Sequence, residues 1–160
     1  LQPDNFQLII SDGCSIPVDN GSVDVAYSND LMEHLHPEDA FEQLKNIYNA
    51  LKSDGVYICH TPNKLSGPHD VSKYFDFVAT GFHLKEYTIG ELVNMFKSVG
   101  FTKLELIIAA RNIVLPISLP VFPFRLLETL LCWLPIKIRR KISKWLPIRV
   151  LLGIHLVATK

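Results

Sequence analysis

Short apolar runs alternate with amphipathic segments along most of the chain, and this order limits the fold more than any other feature. Each run is rich in Val, Ile, Leu or Phe and most are bounded by a turn sequence such as Asp12-Gly13, which is typical of strands. Pro37 and Thr88 begin stretches with helical spacing of apolar residues, and Ser53-Asp54-Gly55 and Gly100 should end them. The pattern predicts strands at residues 6–10, 23–28, 56–61, 103–109 and 151–158. Strands that alternate with helices indicate an α/β domain with a mostly parallel sheet.

Polar residues directly follow three of the predicted strands. Asp12 comes after the first, Ser28-Asn29-Asp30 after the second and Pro62-Asn63 after the third. Ligands of α/β sheets bind outside the carboxyl ends of the strands, so these loops predict one rim of a ligand site. The alternative is that they are ordinary wet loops, since connections are polar in most proteins.

Five segments in this order resemble the class I S-adenosylmethionine-dependent methyltransferases, in the small-molecule branch that includes ubiquinone-biosynthesis-type enzymes. They are Asp12-Gly13-Cys14, "IPVDNGSVDVAYS", "LMEHL", "LKSDGVYICHTPN" and "HLKEYTIGELVNMFKSVGF". The resemblance covers residues 6 to about 108 and matches the C-terminal two thirds of that family. It implies a Rossmann-like sheet in which the predicted strands are the third to the seventh, with the seventh antiparallel.

The resemblance also implies S-adenosylmethionine as cofactor and assigns residues to it. Asp12 would accept a hydrogen bond from the adenine amino group, and the amides of Gly13 and Cys14 would face the ring. Ser28, Asn29 and Asp30 would pass beside the sulfonium and the methionine portion. Methyl transfer depends mainly on alignment, so a base is needed only if the acceptor must lose a proton. His34 is the nearest titratable candidate, although it could equally be a packed histidine at a helix end.

Two elements of the family are missing from the sequence. The glycine-rich loop after the first strand has no counterpart, because the eight glycines include no G-x-G pair, and the acid after the second strand is also absent. We therefore expect residues 1–160 to be one partial, N-terminally truncated methyltransferase domain, with a core at 1–110 and the last strand at 151–160. The alternative is a catalytically inactive half-domain that serves as a membrane-binding or protein-binding module.

The connection between residues 62 and 88 is too long for a simple linker and is the predicted acceptor-binding region. In the family this region shapes the acceptor pocket, which makes Asn63, His69, Tyr74 and His83 the candidate substrate-binding residues. A metal site is not expected. His60, His69 and His83 show neither helical i, i+4 spacing nor a clear carboxylate partner in the sequence.

Residues 111–150 form a basic and apolar insertion before the last strand. Residues 111–160 carry nine Lys and Arg against one acid, whereas residues 1–110 carry seven against fifteen. Prolines rule out one continuous helix, so two short helices at 124–134 and 136–146 are predicted. Trp133 and Trp145 beside Lys and Arg would suit peripheral contact with an anionic membrane or a lid over a lipid-like acceptor. The other option is that the helices pack on the sheet with their cations in water.

Partners and location follow from composition. Three cysteines without paired spacing indicate reduced thiols and a cytoplasmic protein, with peripheral membrane contact as an option. Nucleic acid is an unlikely substrate on chemical grounds, because the basic cluster is interleaved with Leu, Ile and Pro and not with aromatics spaced for base stacking. The expected partner is a small-molecule or lipid-like methyl acceptor.

Overall fold

A computed structural model describes residues 5–110 and 113–160 of the chain. In this part the strands are β1 (Val23–Asn29), β2 (Leu51–Thr61), β3 (Lys103–Ala110), β4 (Ile113–Pro120) and β5 (Ile154–Thr159). The α-helices are α1 (Pro37–Ala50), α2 (Ile89–Val99), α3 (Phe122–Cys132), α4 (Ile136–Ser143) and α5 (Leu146–Leu152). Short 3₁₀ turns lie at Met32–His34 and Val71–Tyr74.

The described strands form one mixed sheet in the order β1-β2-β5-β3-β4. β1 and β2 pair in parallel, whereas β5 is antiparallel to both of its neighbours and β4 is antiparallel to β3. β1, β2 and β3 therefore point the same way, and their carboxyl ends share one edge. The Rossmann-like α/β fold and the antiparallel last strand are confirmed.

α1 and α2 form where the sequence predicts helices. Pro37 occupies the first turn of α1, and Glu38 and Asp39 follow it, which suits the positive end of the helix dipole. At α2, the Thr88 side chain accepts from the Glu91 amide while the Glu91 side chain accepts from the Thr88 amide, which is a capping box. Gly100, with φ of 125°, ends α2 as predicted.

The core lies between the sheet and these two helices. Tyr57 of β2 stacks on Phe96 of α2 at 5.6 Å between ring centroids, and both side chains are fully buried. Leu44 of α1 and Leu156 of β5 complete the same cluster. Burial of a side chain of this size contributes about 1.5–3 kcal/mol, so this cluster dominates the stability of the domain.

The strand predicted at residues 6–10 is wrong. This segment is irregular in the structure, and Leu8 and Ile10 are 72% and 93% exposed. An isolated strand is unstable because its backbone groups need a partner, and the described residues offer none: β1 pairs only with β2. The apolar run has the composition of a strand, but no described strand lies beside it to pair with.

The helical insertion also needs correction at its start. Ile113–Pro120 forms β4, which pairs with β3 through contacts such as Ile107 with Ser118. Two prolines are tolerated there because β4 is an edge strand, where a missing amide costs little. α3 and α4 lie close to the two predicted short helices, and a third helix, α5, occupies the start of the region that was expected to be the last strand.

Two boundaries between helices and strands differ slightly from the predicted ones. α1 ends at Ala50, and residues 51–55 belong to β2, so Ser53-Asp54-Gly55 does not terminate the helix directly. Asp54 has φ of 61°, which places the turn inside the strand. β5 starts at Ile154 because the preceding residues are taken into α5.

Candidate functional site

The end of β1 presents two exposed polar side chains and one buried one. Ser28 is buried, and its hydroxyl lies 2.7 Å from the Tyr57 hydroxyl. Burial raises the pKa of Tyr57 well above its ordinary value, so both groups stay neutral in the core. Asn29 is exposed and its amide nitrogen donates to Asp30 Oδ2 at 3.0 Å. Asn29 and Asp30 are therefore the side chains that a ligand at this edge could reach.

Asp30 ties β1 to the middle of the sheet. Its amide donates to the His60 carbonyl at 3.0 Å, and its Oδ1 lies 3.0 Å from His60 Nδ1. Among the described residues, His60 Nδ1 makes no hydrogen bond, so the two side chains are close neighbours without one. His60 also stacks on His155 at 4.3 Å. Burial and the neighbouring His60 lower the pKa of His155 to about 4, which keeps that ring neutral.

Asp12 organises its own loop. Its Oδ1 accepts from the Cys14 amide at 2.9 Å and from the Ser15 amide at 2.7 Å, and Oδ2 accepts from the Ser15 hydroxyl at 3.0 Å. The backbone hydrogen bonds from Ser15 and Cys14 lower the pKa of Asp12, so the exposed carboxylate is ionised.

The Asp12 loop is held against the middle of α1. Gln43 of α1 donates to the Gly13 carbonyl, and Asn46 donates to the Cys14 carbonyl at 3.0 Å. Gly13 has φ of 89°, a left-handed conformation that favours glycine, and a Cβ there would contact Leu35. The loop thus packs against α1 and against Leu35, which lies between β1 and α1.

His34 contacts the long connection between β2 and α2. Its Nδ1 lies 3.1 Å from the Phe82 carbonyl, and its ring meets the His83 ring edge-on at 4.9 Å. Donation from Nδ1 to that carbonyl would leave Nε2 as the free, basic nitrogen. The His34 side chain is exposed, so Nε2 is open to a ligand.

Glu33 joins three parts of this region and was not anticipated from the sequence. Its buried carboxylate accepts from the Thr61 hydroxyl at 2.8 Å, at the end of β2. Its carbonyl accepts from the amides of Leu84 and Lys85 at 2.7 and 3.2 Å. Glu33 therefore locks the loop after β1 to both β2 and the predicted acceptor region.

His83 and His69 converge on a second buried acid. His83 Nδ1 lies 2.8 Å from Glu86 Oε1, and the same oxygen accepts from the His69 amide at 2.6 Å. His69 Nε2 lies 2.9 Å from the Ser66 hydroxyl and 3.2 Å from the Asn63 carbonyl. Although His69 keeps an exposed edge, desolvation lowers its pKa and outweighs the opposing charge of Glu86.

Asn63 is engaged within the protein. Its side-chain Oδ1 accepts from the Leu65 amide at 2.9 Å, and its side-chain Nδ2 donates to Glu128 Oε1 at 2.8 Å. Glu128 comes from α3 and also accepts from the amides of Ile89 and Gly90 at the start of α2. Burial raises the pKa of Glu128, with these hydrogen bonds opposing the shift.

Asp70 closes the loop that contains Tyr74. Its carboxylate accepts from the amides of Ser72, Gly81 and His83 at 2.9, 2.9 and 3.3 Å. Burial alone would raise the pKa of Asp70, but hydrogen bonds from His83, Ser72 and Gly81 outweigh it and lower the pKa to about 2. Tyr74 itself projects outward and is 80% exposed.

The structure groups a different set of possible metal ligands from the three histidines considered in the sequence. Glu33, His34 and His83 offer ligand atoms within 4.8 Å of one another. Carboxylate partners also exist, since Glu86 binds His83 and Asp30 lies beside His60. The expectation that the histidines lack carboxylate partners was wrong, whereas the absence of a metal stays a prediction.

The acids that sequence reasoning missed share one property. Glu33, Asp70, Glu86 and Glu128 are all buried, and each binds backbone amides or side chains from distant segments. The sequence gives only a weak signal that these acids are buried, because acids in polar loops are normally solvated. Only Glu128, as the sole acid among residues 111–160, stands out from its surroundings.

A mixed α/β sheet with polar loops at the carboxyl ends of β1 and β2 defines a Rossmann-like protein, and proteins of this class bind ligands at that edge. The methyltransferase-domain family model matches residues 2–106, and the chain belongs to that family. The family resemblance inferred from the sequence is thereby confirmed. No curated protein sequence matches the chain.

Solved structures share the fold at low sequence identity. A chain of the Haloferax volcanii complex between the Trm112 methyltransferase activator and a methyltransferase is 16% identical, with a TM-score of 0.61. The alignment covers 99% of this chain and 63% of that one. An Archaeoglobus fulgidus SAM-dependent methyltransferase is 19% identical over 98% of this chain and 68% of its own, with a TM-score of 0.53.

A third relative is much longer. The Haemonchus contortus phosphoethanolamine N-methyltransferase 2, solved with S-adenosyl-L-methionine, is 19% identical with a TM-score of 0.51. The match covers 93% of this chain and 36% of that one. The present chain thus spans less than two thirds of the Haloferax volcanii chain and about a third of this enzyme.

The helices of the described residues are short. None of them is long and apolar enough to cross a membrane.

Proposed function

We propose that this chain forms part of an S-adenosylmethionine-dependent methyltransferase that acts on a small-molecule or lipid-linked acceptor. The observation that carries the proposal is the packing of the ionised Asp12 loop against α1 and Leu35, which follow β1. Asn29, Asp30 and His34 lie in the connection from β1 to α1. Methyltransferase family membership supports the same reaction class.

The residues present fit one side of the cofactor. Asp12 is exposed and ionised, and Oδ2 accepts only from the Ser15 hydroxyl, so it keeps acceptor capacity for an adenine amino group. Both predicted amides are already engaged, since Cys14 N–H donates to Asp12 and Gly13 N–H donates to Ser11 Oγ at 3.1 Å, so this loop would border the ring through its shape. Asn29 and Asp30 offer side chains beside the sulfonium, whereas Ser28 would contribute backbone only. The bound cofactor supplies a methyl group already activated on a sulfonium.

We propose that the ribose and carboxylate contacts come from residues outside this chain, which makes residues 1–160 a partial domain. β1 pairs on one side only among the described residues, and its Val25 and Tyr27 side chains are 58% and 66% exposed. An open strand edge with apolar side chains is unusual in a finished sheet, because it invites pairing. Further strands beside β1 would cover it and bring a glycine-rich loop to the rim.

His34 is proposed as the general base where the acceptor must lose a proton. The Phe82 carbonyl fixes its Nδ1, and the exposed Nε2 can then take a proton from the acceptor. His83 and His69 line the same connection and would contact or orient the acceptor. Tyr74 is exposed enough to close over it, while Asn63 would act through the backbone it holds.

Cofactor binding tests this proposal directly. In a protein that includes the residues preceding this chain, Asp12→Ala should weaken S-adenosylmethionine binding at least tenfold by isothermal titration calorimetry, because a charge-assisted hydrogen bond is lost. Asp12→Asn keeps an oxygen for the loop amides and should separate loop disruption from loss of charge. Asp19→Ala, at an exposed aspartate, is the matched control. Unchanged affinity in Asp12→Ala would disprove the adenine contact.

A second candidate is peripheral membrane contact through the insertion. Trp133 and Trp145 are 82% and 64% exposed and stand beside the cations of α4. Exposed tryptophan with Lys and Arg suits an anionic membrane interface. Flotation with anionic vesicles should carry the protein, and Trp133→Ala with Trp145→Ala should reduce it. Absence of flotation would reject this function.

A further inference from the structure

A polar cavity lies between the predicted acceptor region and the insertion. Its volume is about 430 Å³, and it is lined by Ser66, Pro68, His69, Lys73, Lys144 and Arg149. The first four residues belong to the connection after β2, and the last two to the α4–α5 segment. Two distant parts of the chain therefore enclose one space whose walls carry three permanent cations.

These cations lack carboxylate partners. Within residues 5–110 and 113–160, neither Lys73, Lys144 nor Arg149 takes part in a salt bridge. The Lys73 ammonium lies over the face of the Tyr74 ring, at 5.0 Å from its centroid. Three like charges around one cavity repel each other, and an anion bound between them would relieve that repulsion.

The remaining titratable groups do not neutralise the cavity. Glu86 is the carboxylate whose charge acts on His69, but it is buried and already binds His83 Nδ1 and the His69 amide. Desolvation and the neighbouring Arg149 favour the neutral form of His69. At neutral pH the cavity thus keeps a net positive charge, which suits an anion with more than one oxygen.

The cavity borders the proposed methyl-transfer edge. Both Ser66 Oγ and His69 Nε2 contact the Asn63 carbonyl, at 3.1 and 3.2 Å, and Asn63 lies two residues after the end of β2. An anionic group bound here would hold the rest of its molecule near the carboxyl ends of β1 and β2.

A second cavity adjoins the first. It measures about 420 Å³, is lined by Lys141, Ile142, Lys144 and Trp145, and shares Lys144 with the polar cavity. Apolar Ile142 and Trp145 make this space suitable for hydrocarbon. The pair of cavities matches a molecule with a charged group at one end and an apolar portion at the other.

We propose that the polar cavity binds a phosphate group and that, resting on the proposed function, this phosphate belongs to the methyl acceptor. Phosphate offers up to four oxygens and up to two charges, which matches three cationic side chains better than a single carboxylate does. The cavity is large enough for a phosphate ester with part of its substituent. The source is either a soluble phosphate ester or the headgroup of a phospholipid.

Phosphate binding by the chain itself is the test. Inorganic phosphate and phenyl phosphate are titrated into the protein while amide NMR signals of residues 66–73 and 144–149 are followed. Lys73→Gln, Lys144→Gln and Arg149→Gln should each weaken binding about tenfold, since each removes one charge-assisted contact. All three side chains are exposed residues, so folding should survive. Lys97→Gln, at an exposed position of α2 outside both cavities, is the matched control and should change affinity less than twofold.

Vesicles distinguish the two sources. Binding to phosphatidylcholine vesicles that contain phosphatidic acid, reduced by Lys144→Gln but not by Lys97→Gln, would support a phospholipid headgroup. Saturable binding of phenyl phosphate without vesicle binding would support a soluble ester. Absence of binding to every phosphate probe, or equal loss in the control variant, would overturn the inference.

The proposed function and the proposed phosphate site can be rejected independently of each other. Phosphate binding is measured without cofactor, so its absence leaves the Asp12 experiment unaffected. If Asp12→Ala leaves cofactor affinity unchanged while phosphate still binds at this cavity, the proposed function fails and the cavity remains a phosphate site without the acceptor role.

Discussion

At the residue scale, buried carboxylates hold loops that the hydrophobic core does not reach. Asp70 gathers three amides of the connection after β2, and Glu86 gathers the histidines at its end. A carboxylate oxygen accepts several hydrogen bonds, so one acid can fix a turn that has few apolar contacts. Losing such a group leaves buried amides unpaired, which costs more than an ordinary hydrogen bond.

Asp70→Asn should show this as a pH-dependent loss of stability. The folded pKa of Asp70 is about 2 and its ordinary value is 3.8, so the unfolded chain takes up a proton first as pH falls. The contribution of Asp70 is therefore present above about pH 4 and is lost toward about pH 2. At neutral pH we expect the variant to be less stable by about 1–3 kcal/mol in urea unfolding.

The gap between Asp70→Asn and the unmodified protein should narrow as pH falls below about 4. Asp19→Asn, at an exposed position with no such network, should follow the unmodified protein throughout. A gap that stays constant from neutral to acidic pH would show that Asp70 does not stabilise the fold through its charge.

At the element scale, one acid attaches the insertion to the domain. Glu128 of α3 accepts from the Ile89 and Gly90 amides at 2.7 and 2.9 Å, which are free donors of the first turn of α2. The same carboxylate binds Asn63 after β2. α3 is thereby fixed to both a helix start and the candidate site.

Glu128→Gln should loosen this attachment. A glutamine amide nitrogen cannot accept, so at least one of the three donors would face another donor. We expect a loss of about 1–3 kcal/mol in the free energy of unfolding, and a shifted amide NMR signal for Gly90. Glu42→Gln, at an exposed position of α1, is the control. A loss no greater than in that control would mean that α3 is held by its apolar contacts alone.

At the scale of the whole molecule, the strands of the described sheet differ in how well their backbone hydrogen bonds are protected against local opening. β2 and β5 lie inside the sheet and carry buried residues on alternate positions, whereas β1 has an open edge and residues 6–10 have no strand partner among the described residues. Local opening costs least where backbone groups are unpaired and apolar contacts are few.

Amide hydrogen-exchange rates should reflect this difference between the interior strands and the unpaired segments. Amides of residues 6–10 should exchange within the dead time of a manual experiment, and those of β2 and β5 that pair with each other should exchange slowest. β4, at the opposite edge, should be intermediate. Slow exchange at residues 6–10 in the isolated chain would show that this segment pairs with another strand.

Local patterns predicted the elements well wherever the stabilising interactions are local or depend on one buried face. The capping box at Thr88 and Glu91, the stop at Gly100 and the proline start of α1 are short-range signals, and all are observed. The Asp12 loop packs against α1 instead of following a strand, so its place beside the loop after β1 stays a prediction. The roles of His34, His69, Tyr74 and His83 stay predictions.

Strand partners that are distant in the sequence could not be predicted from such local patterns. Residues 6–10 have the composition of a strand but no strand partner, and Ile113–Pro120 pairs with β3 despite two prolines. Strand formation depends on what lies alongside, which composition does not encode. The buried roles of Glu33, Glu86 and Glu128 were missed for the same reason, since each depends on donors far away in the chain.

The sequence by itself therefore determined the fold class, the methyltransferase resemblance and helices α1 and α2, because apolar spacing and capping act within a few residues. Tertiary structure decided which strands pair, which acids are buried and which cations converge. Only folding brings Lys73 to Lys144 and Arg149, and the field of three unpaired cations exists only once the insertion is packed against the connection after β2.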